Sequence, residues 1–145
     1  MVRAIHHLLP QLSGSARLPS GLEIDEIVAS RATTLLFASD DGAGSDEADQ
    51  AGEQGEQIVG MLTLVTFRLP TGVRAWIEDV VVDTGARGRG VGEALTQAAI
   101  ELAADRGAQT VDLTSRPSRE AANRLYRRMG FEPRETNVYR FPLPS

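Results

Sequence analysis

Arg87-Gly88-Arg89-Gly90-Val91-Gly92 places three glycines and two arginines within one short stretch. Glycine removes the side chains that keep a ligand off the backbone, and arginine adds charge with forked donors, so the stretch suits an anion. Its flanks support that chemistry. Trp76 to Asp83 is a β-branched run that reads as a buried strand, and Thr84-Gly85-Ala86 follows as a turn. Val91, Ala94, Leu95, Ala98, Ala99 and Leu102 then recur on one face of a helix, Glu93, Gln97, Glu101 and Asp105 on another, and Gly107 is a natural stop. The opening amides of such a helix have no partner inside it and point outward along its dipole, which makes a seat for a phosphate.

Spacing narrows the kind of phosphate. A P-loop requires a lysine after its second glycine, and all the basic residues of this chain are arginines. A dinucleotide fingerprint counted from Gly88 would need glycine where Glu93 stands, and counted from Gly90 where Leu95 stands. What fits is Arg87-x-x-Gly90-x-Gly92. This resembles the Arg/Gln-x-x-Gly-x-Gly/Ala motif of the GNAT acetyltransferase superfamily. A second stretch, Ala122-x-x-Leu125-Tyr126-x-x-Met129-Gly130-Phe131, is similar to the Ala-x-x-Leu-Tyr-x-x-Leu-Gly-Phe that ends the fourth helix of many members. The resemblance covers Ile58 to Phe141.

The resemblance implies an acetyl-coenzyme A dependent N-acetyltransferase. Amides of Arg87, Gly88, Arg89, Gly90, Val91 and Gly92 would hold the pyrophosphate. The strand residues Val80, Val81 and Val82 would line the entry of the pantetheine arm. Tyr126 matches the family's general acid, the tyrosine that protonates the departing thiolate. Glu78 is the implied general base, since Ile77-Glu78-Asp79 is similar to the Ile-Glu-Asp of glucosamine-phosphate acetyltransferases; Asp79 is the alternative, and a bulge in the strand would reverse the side-chain parity that decides between them. The family often has Asn seven residues before the tyrosine. Here Arg119 stands there; it could reach a coenzyme A phosphate, while Asn123, one turn later, could contact the pantetheine. The acceptor is a small-molecule or peptide amine with no class specified. Trp76 either lines its pocket or belongs to the core. The rival reading is a non-catalytic acyl-coenzyme A binding or sensing module.

Around these residues the expected fold is α/β: a mixed, mostly antiparallel sheet of the GNAT type, with splayed central strands flanked by helices and the first family strand missing. Helices are expected at 2–12, where Pro10 weakens the pattern, and at 22–30; strands at 33–38, 58–67 and 73–82, the last two antiparallel across Pro70-Thr71-Gly72. A short strand at 110–113 should lie parallel to Val80–Val82, because a helix crosses between them. Ser118 can cap a helix running to Met129, with Gly130-Phe131 as a Schellman ending, and 137–141 reads as a last strand. Adjacent His6 and His7 point about 100° apart on a helix and suit a metal poorly; solvated or half-buried histidines are the expectation.

The 145 residues suit a single domain, and 41% hydrophobic content is enough for a core. No stretch approaches the roughly 18–20 apolar residues of a membrane span, and no secretory leader is visible. Cysteine is absent, which excludes disulfides and thiolate chemistry. The net charge of −5 is uneven: residues 40–57 carry 7 acids and no base, leaving 15 arginines against 13 acids elsewhere. That acidic stretch is expected to be a flexible loop, a tolerated hairpin insertion or a docking segment for a basic partner. The small basic excess elsewhere suits an anionic cofactor and is too weak for nucleic acid; Arg87-Gly88-Arg89-Gly90 is not part of a longer RG repeat. A cytoplasmic enzyme without metal fits these features, and a homodimer is compatible with them.

Overall fold

A computed structural model describes residues 1–40 and 56–145. The acidic loop expected at 40–57 lies outside the described residues except at its ends. The chain forms two compact units, Met1–Leu113 and Thr114–Ser145.

In the first unit the elements follow in the order α1 Val2–Leu12, α2 Gly21–Ala29, β1 Thr33–Asp40, β2 Gln57–Leu69, β3 Gly72–Val82, α3 Val91–Asp105 and β4 Val111–Asp112. Helix α1 forms despite Pro10, which sits in its last turn, and it buries Ile5 and Leu8. Helix α2 starts at a complete capping box: Glu23 N donates to Ser20 Oγ at 3.2 Å, and Ser20 N to Glu23 Oε2 at 2.7 Å. The Arg17 guanidinium bonded to Glu23, with the Ser20 amide second, pulls that carboxyl down to about 2.

The sheet order is β1-β2-β3-β4, with β1–β2 and β2–β3 antiparallel and β3–β4 parallel. It is a mixed sheet with helices on both faces. On one face Ile5, Leu8 and Ile24 from the first two helices close on Met61 and Val81, with Leu35 and Phe37 beside them. On the other, α3 presses so closely that a Cβ built on Gly60 would stand 2.9 Å from Val91 Cγ1 and 3.0 Å from Leu95 Cδ1. Helix α3 ends in a Schellman turn: Gly107 N bonds Ala104 O, Ala108 N bonds Ala103 O, and Gly107 takes φ 80°.

Strand β4 runs parallel to β3 as expected but pairs elsewhere. Its partners are Ala75 and Trp76, upstream of Val80–Val82. The turn at Gly107 brings the chain straight back to the start of β3, where Gln109 N bonds Val73 O. Pairing ends at Trp76–Asp112, so from Ile77 onward β3 has no ladder partner on its β4 side among the described residues.

The second unit contains α4, Glu120–Arg128. Two expectations are corrected here. The N-cap is Arg119 and makes no side-chain cap, so Ser118 does not start the helix; Ser118 lies inside a turn closed by Arg119 N to Arg116 O at 3.0 Å. No strand forms at 137–141 among the described residues, and Val138, Tyr139 and Phe141 are exposed. Strand propensity needs a ladder to act on, and these residues have found none.

Candidate functional site

Glu78 owes its position to a bulge. In the β2–β3 ladder Thr63 stands opposite Glu78, yet Met61 stands opposite Val81. Strand β3 therefore spends three steps where β2 spends two, and the surplus falls at Asp79-Val80. Asp79 takes φ 52°, the left-handed region that Asp tolerates better than most residues. The bulge flips the alternation, so Glu78 and Val81 share a face although three positions apart. Because Val81 is buried with Ile5 and Leu8, Glu78 stands on the α1–α2 side of the sheet. Trp76, two residues earlier, shares that face, and its Nε1 donates to Glu78 Oε1 at 2.7 Å. Removal from water, and second the charge of Glu78, push the Asp79 carboxyl above its ordinary range.

The consequence for the neighbouring valines is that Val81 points into the core and offers a ligand only backbone, while Val80 and Val82 are half-buried. Beyond Val82 the chain is tied down at once. Asp83 N donates to Val59 O at 2.7 Å, Asp83 Oδ1 accepts from Gly85 N at 3.0 Å, and Ala86 N returns to Asp83 O at 2.8 Å around a single 3₁₀ turn, Thr84–Ala86. The Gly85 amide, then His7, hold the Asp83 carboxyl below its usual range.

Gly88 and Gly90 both take φ 78°, which explains why glycine stands at each. Gly90 is the N-cap of α3 and supplies no side-chain acceptor, so the amides of Val91 and Gly92 are left for something else. A Cβ at either Gly88 or Gly90 would meet nothing within 4 Å among the described residues. Arg87 and Arg89 are exposed beside it; Arg87 Nε donates to Val82 O at 3.4 Å and Arg89 Nη2 to Asp40 Oδ2 at 2.8 Å. Such an arrangement can hold phosphate oxygens through backbone N–H groups with two guanidinium groups at hand.

In the second unit, α4 groups the remaining expected residues. Asn123 Nδ2 donates to Arg116 O at 3.0 Å, which fastens the turn ahead of the helix. The helix ends as the sequence predicts: Phe131 N bonds Tyr126 O, Gly130 N bonds Arg127 O, and Gly130 takes φ 99°. The Tyr126 and Phe131 rings meet edge to face, with centroids 5.7 Å apart. Tyr126 is buried, and that burial raises its phenol above the ordinary value, opposed by the Arg119 charge. Ser115 Oγ, just past β4, is buried without a hydrogen-bond partner among the described residues.

Glu78, Val80–Val82 and Arg87–Gly92 thus lie on one continuous strand–turn–helix, while Arg119, Asn123 and Tyr126 lie together on α4. The sequence pattern missed His7 and Gln11. His7 Nε2 bonds the Asp83 carboxylate, and Gln11 Oε1 accepts from both Thr84 N and Thr84 Oγ1 at 2.9 Å. These partners are over seventy positions apart in the chain, so only the helical spacing of His7 and Gln11 hinted at a shared role.

A family model described as the acetyltransferase (GNAT) family matches residues 22–131. An uncharacterized N-acetyltransferase of Methanocaldococcus jannaschii is 43% identical over 61 residues, which are 42% of this chain and 27% of that protein. N-alpha-acetyltransferase 30 of Schizosaccharomyces pombe is 36% identical over 73 residues, 50% of this chain and 48% of that protein. The chain therefore spans less than half the length of these two relatives. An acetyltransferase structure from Trypanosoma brucei superposes with a TM-score of 0.72 at 26% identity, covering 99% of this chain and 95% of that one.

Proposed function

The chain belongs to the GNAT family of acetyltransferases, and from that premise we propose that it moves the acetyl group of acetyl-coenzyme A to an amine. The observation that carries the donor half is the N-terminus of α3, capped by a left-handed glycine that offers its amides no side-chain acceptor. Backbone N–H groups from Arg87 to Gly92 fit a pyrophosphate, with Arg87 and Arg89 beside them. The unpaired edge of β3 beyond Trp76 fits an extended amide-bearing arm, which could add to the sheet as a strand would. When bound, acetyl-coenzyme A supplies the activated acyl carbonyl.

The chain's own residues then have two proton tasks. Glu78, oriented by the Trp76 indole, takes the proton from the acceptor amine. Tyr126, a phenol that carries its proton at neutral pH as tyrosines ordinarily do, holds that proton for the departing thiolate. The name of the Schizosaccharomyces pombe relative is that of an enzyme acting on α-amino groups, which supports an amine acceptor without choosing between peptide and small molecule.

Thiol release from acetyl-coenzyme A against a panel of amines tests the reading. With an accepted amine, Tyr126→Phe should lower kcat by about 10²–10⁴, the usual worth of a positioned acid. Glu78→Gln should lower kcat/KM and remove the acidic limb of its pH profile, with acetyl-coenzyme A affinity unchanged in both. Wild-type rates in both variants would remove these residues from the proton path.

A further inference from the structure

We propose that His7 and Gln11 of α1 are positioning residues for the phosphate-binding loop, an inference that rests on the donor reading above. They lie one helical turn apart, so both side chains leave the same edge of α1. Each reaches one of the first two of the four residues, Asp83 to Ala86, that separate β3 from the glycine loop. His7 Nε2 bonds the Asp83 carboxylate. Gln11 Oε1 accepts from Thr84 N and Thr84 Oγ1, both at 2.9 Å. Gln11 also donates through Nε2 to His7 O at 3.2 Å, which fixes its own amide.

Asp83 is also held from the other side. Asp83 N is bonded to Val59 O of β2 at 2.7 Å, and Asp83 Oδ1 receives Gly85 N. The entry to the loop is thereby clamped between β2 and α1, a few residues before the amides that would meet phosphate. Those amides act by direction, and a small rotation at Asp83-Thr84 re-aims all of them together.

The packing of α1 does not need this contact. Ile5 and Leu8 bury the helix against the sheet, while the His7 side chain is 58% exposed and Asp83 18%. A pair with one partner this exposed contributes little to stability, so its principal effect falls on what it aims.

The experiment compares wild type, His7→Ala/Gln11→Ala and Gly90→Val for acetyl-coenzyme A binding by calorimetry, with thermal midpoints measured in parallel. The double variant should bind on the order of tenfold more weakly, as expected for lost hydrogen bonds that aim a ligand site. Its midpoint should fall by less than about 4 °C. In turnover, KM for acetyl-coenzyme A should rise while kcat stays within about twofold. His7→Gln, which keeps an N–H donor, should restore most of the affinity to a chain carrying only the His7 change. If the double variant fails to fold, His7→Ala and Gln11→Ala measured singly give the same comparison, with His7→Gln as the variant that keeps the contact.

Wild-type affinity in the double variant, alongside lost binding in Gly90→Val, overturns this proposal and leaves the donor reading standing. Equal binding by wild type and Gly90→Val, or no binding by wild type, overturns the donor reading and this proposal with it. A kcat loss equal to the KM effect, or a midpoint drop that matches the affinity loss across all variants, assigns the contact to general stability and overturns the positioning role.

Discussion

Asp79 shows how one backbone angle decides two chemical identities. By taking φ 52° it absorbs the surplus residue of β3, and in doing so it brings Val81 onto the face that Glu78 and Trp76 already share. The cost is a carboxyl held partly out of water beside another one, with its pKa raised. The sign of the pH effect follows. Below the ordinary carboxylate range Asp79 is protonated folded and unfolded, and it costs nothing. As pH rises from that range through the raised folded value, the unfolded chain loses its proton first and native stability falls. Asn also tolerates the left-handed region and cannot ionise. Asp79→Asn should therefore match wild type in thermal midpoint at low pH and exceed it at neutral pH; a gap that stays constant with pH would contradict this account. None of this could be read in Ile77-Glu78-Asp79 alone. The two carboxylates were legible as candidates, but a bulge is a property of two strands in register, and only the partner strand reveals it.

Among the elements, those that bury a periodic face were legible: α1, α2, α3 and the β2–β3 pair all follow from apolar spacing and turn residues. The failures share a cause. Strand β4 re-enters beside Ala75 because the Gly107 turn leaves so little chain to travel, and α4 begins at Glu120, with Arg119 as its N-cap, because the preceding Arg116–Arg119 turn already occupies Ser118. Both are set by chain geometry that composition does not record. Gly60 makes the complementary case. Its place inside a strand looks unfavourable, yet it is a point of close approach between α3 and the sheet. Gly60→Ala would put a methyl 2.9 Å from Val91 Cγ1 and 3.3 Å from Val81 O, and Val91 is the first residue of α3. Overpacking of this kind costs about 1–3 kcal/mol. Denaturant unfolding should show that loss, and acetyl-coenzyme A binding should weaken with it as the helix start is displaced. An unchanged midpoint would mean that Val91 and Leu95 rotate away freely.

Across the whole molecule, charge is segregated by unit. Met1–Leu113 carries 8 arginines and 17 acids, Thr114–Ser145 carries 7 arginines and 3 glutamates. Among the described residues no helix is long and apolar enough to cross a membrane. The apolar surface that stands out is instead at the carboxyl end, where Val138, Tyr139, Phe141 and Leu143 are all exposed. A short β-prone stretch without a strand partner among the described residues is the kind of segment that recruits copies of itself into aggregates. Pro142 and Pro144 alternate with Phe141 and Leu143, and proline brings no N–H to a growing ladder. They act as gatekeepers, interrupting a cross-β register before it can lengthen. Replacing both with threonine should leave the first unit's unfolding unchanged while light scattering and thioflavin fluorescence rise on incubation at high protein concentration. Clear solutions from that variant would show that the prolines protect nothing. With the prolines in place a clear solution is the expected outcome, because a growing ladder finds no N–H donor at Pro142 or Pro144.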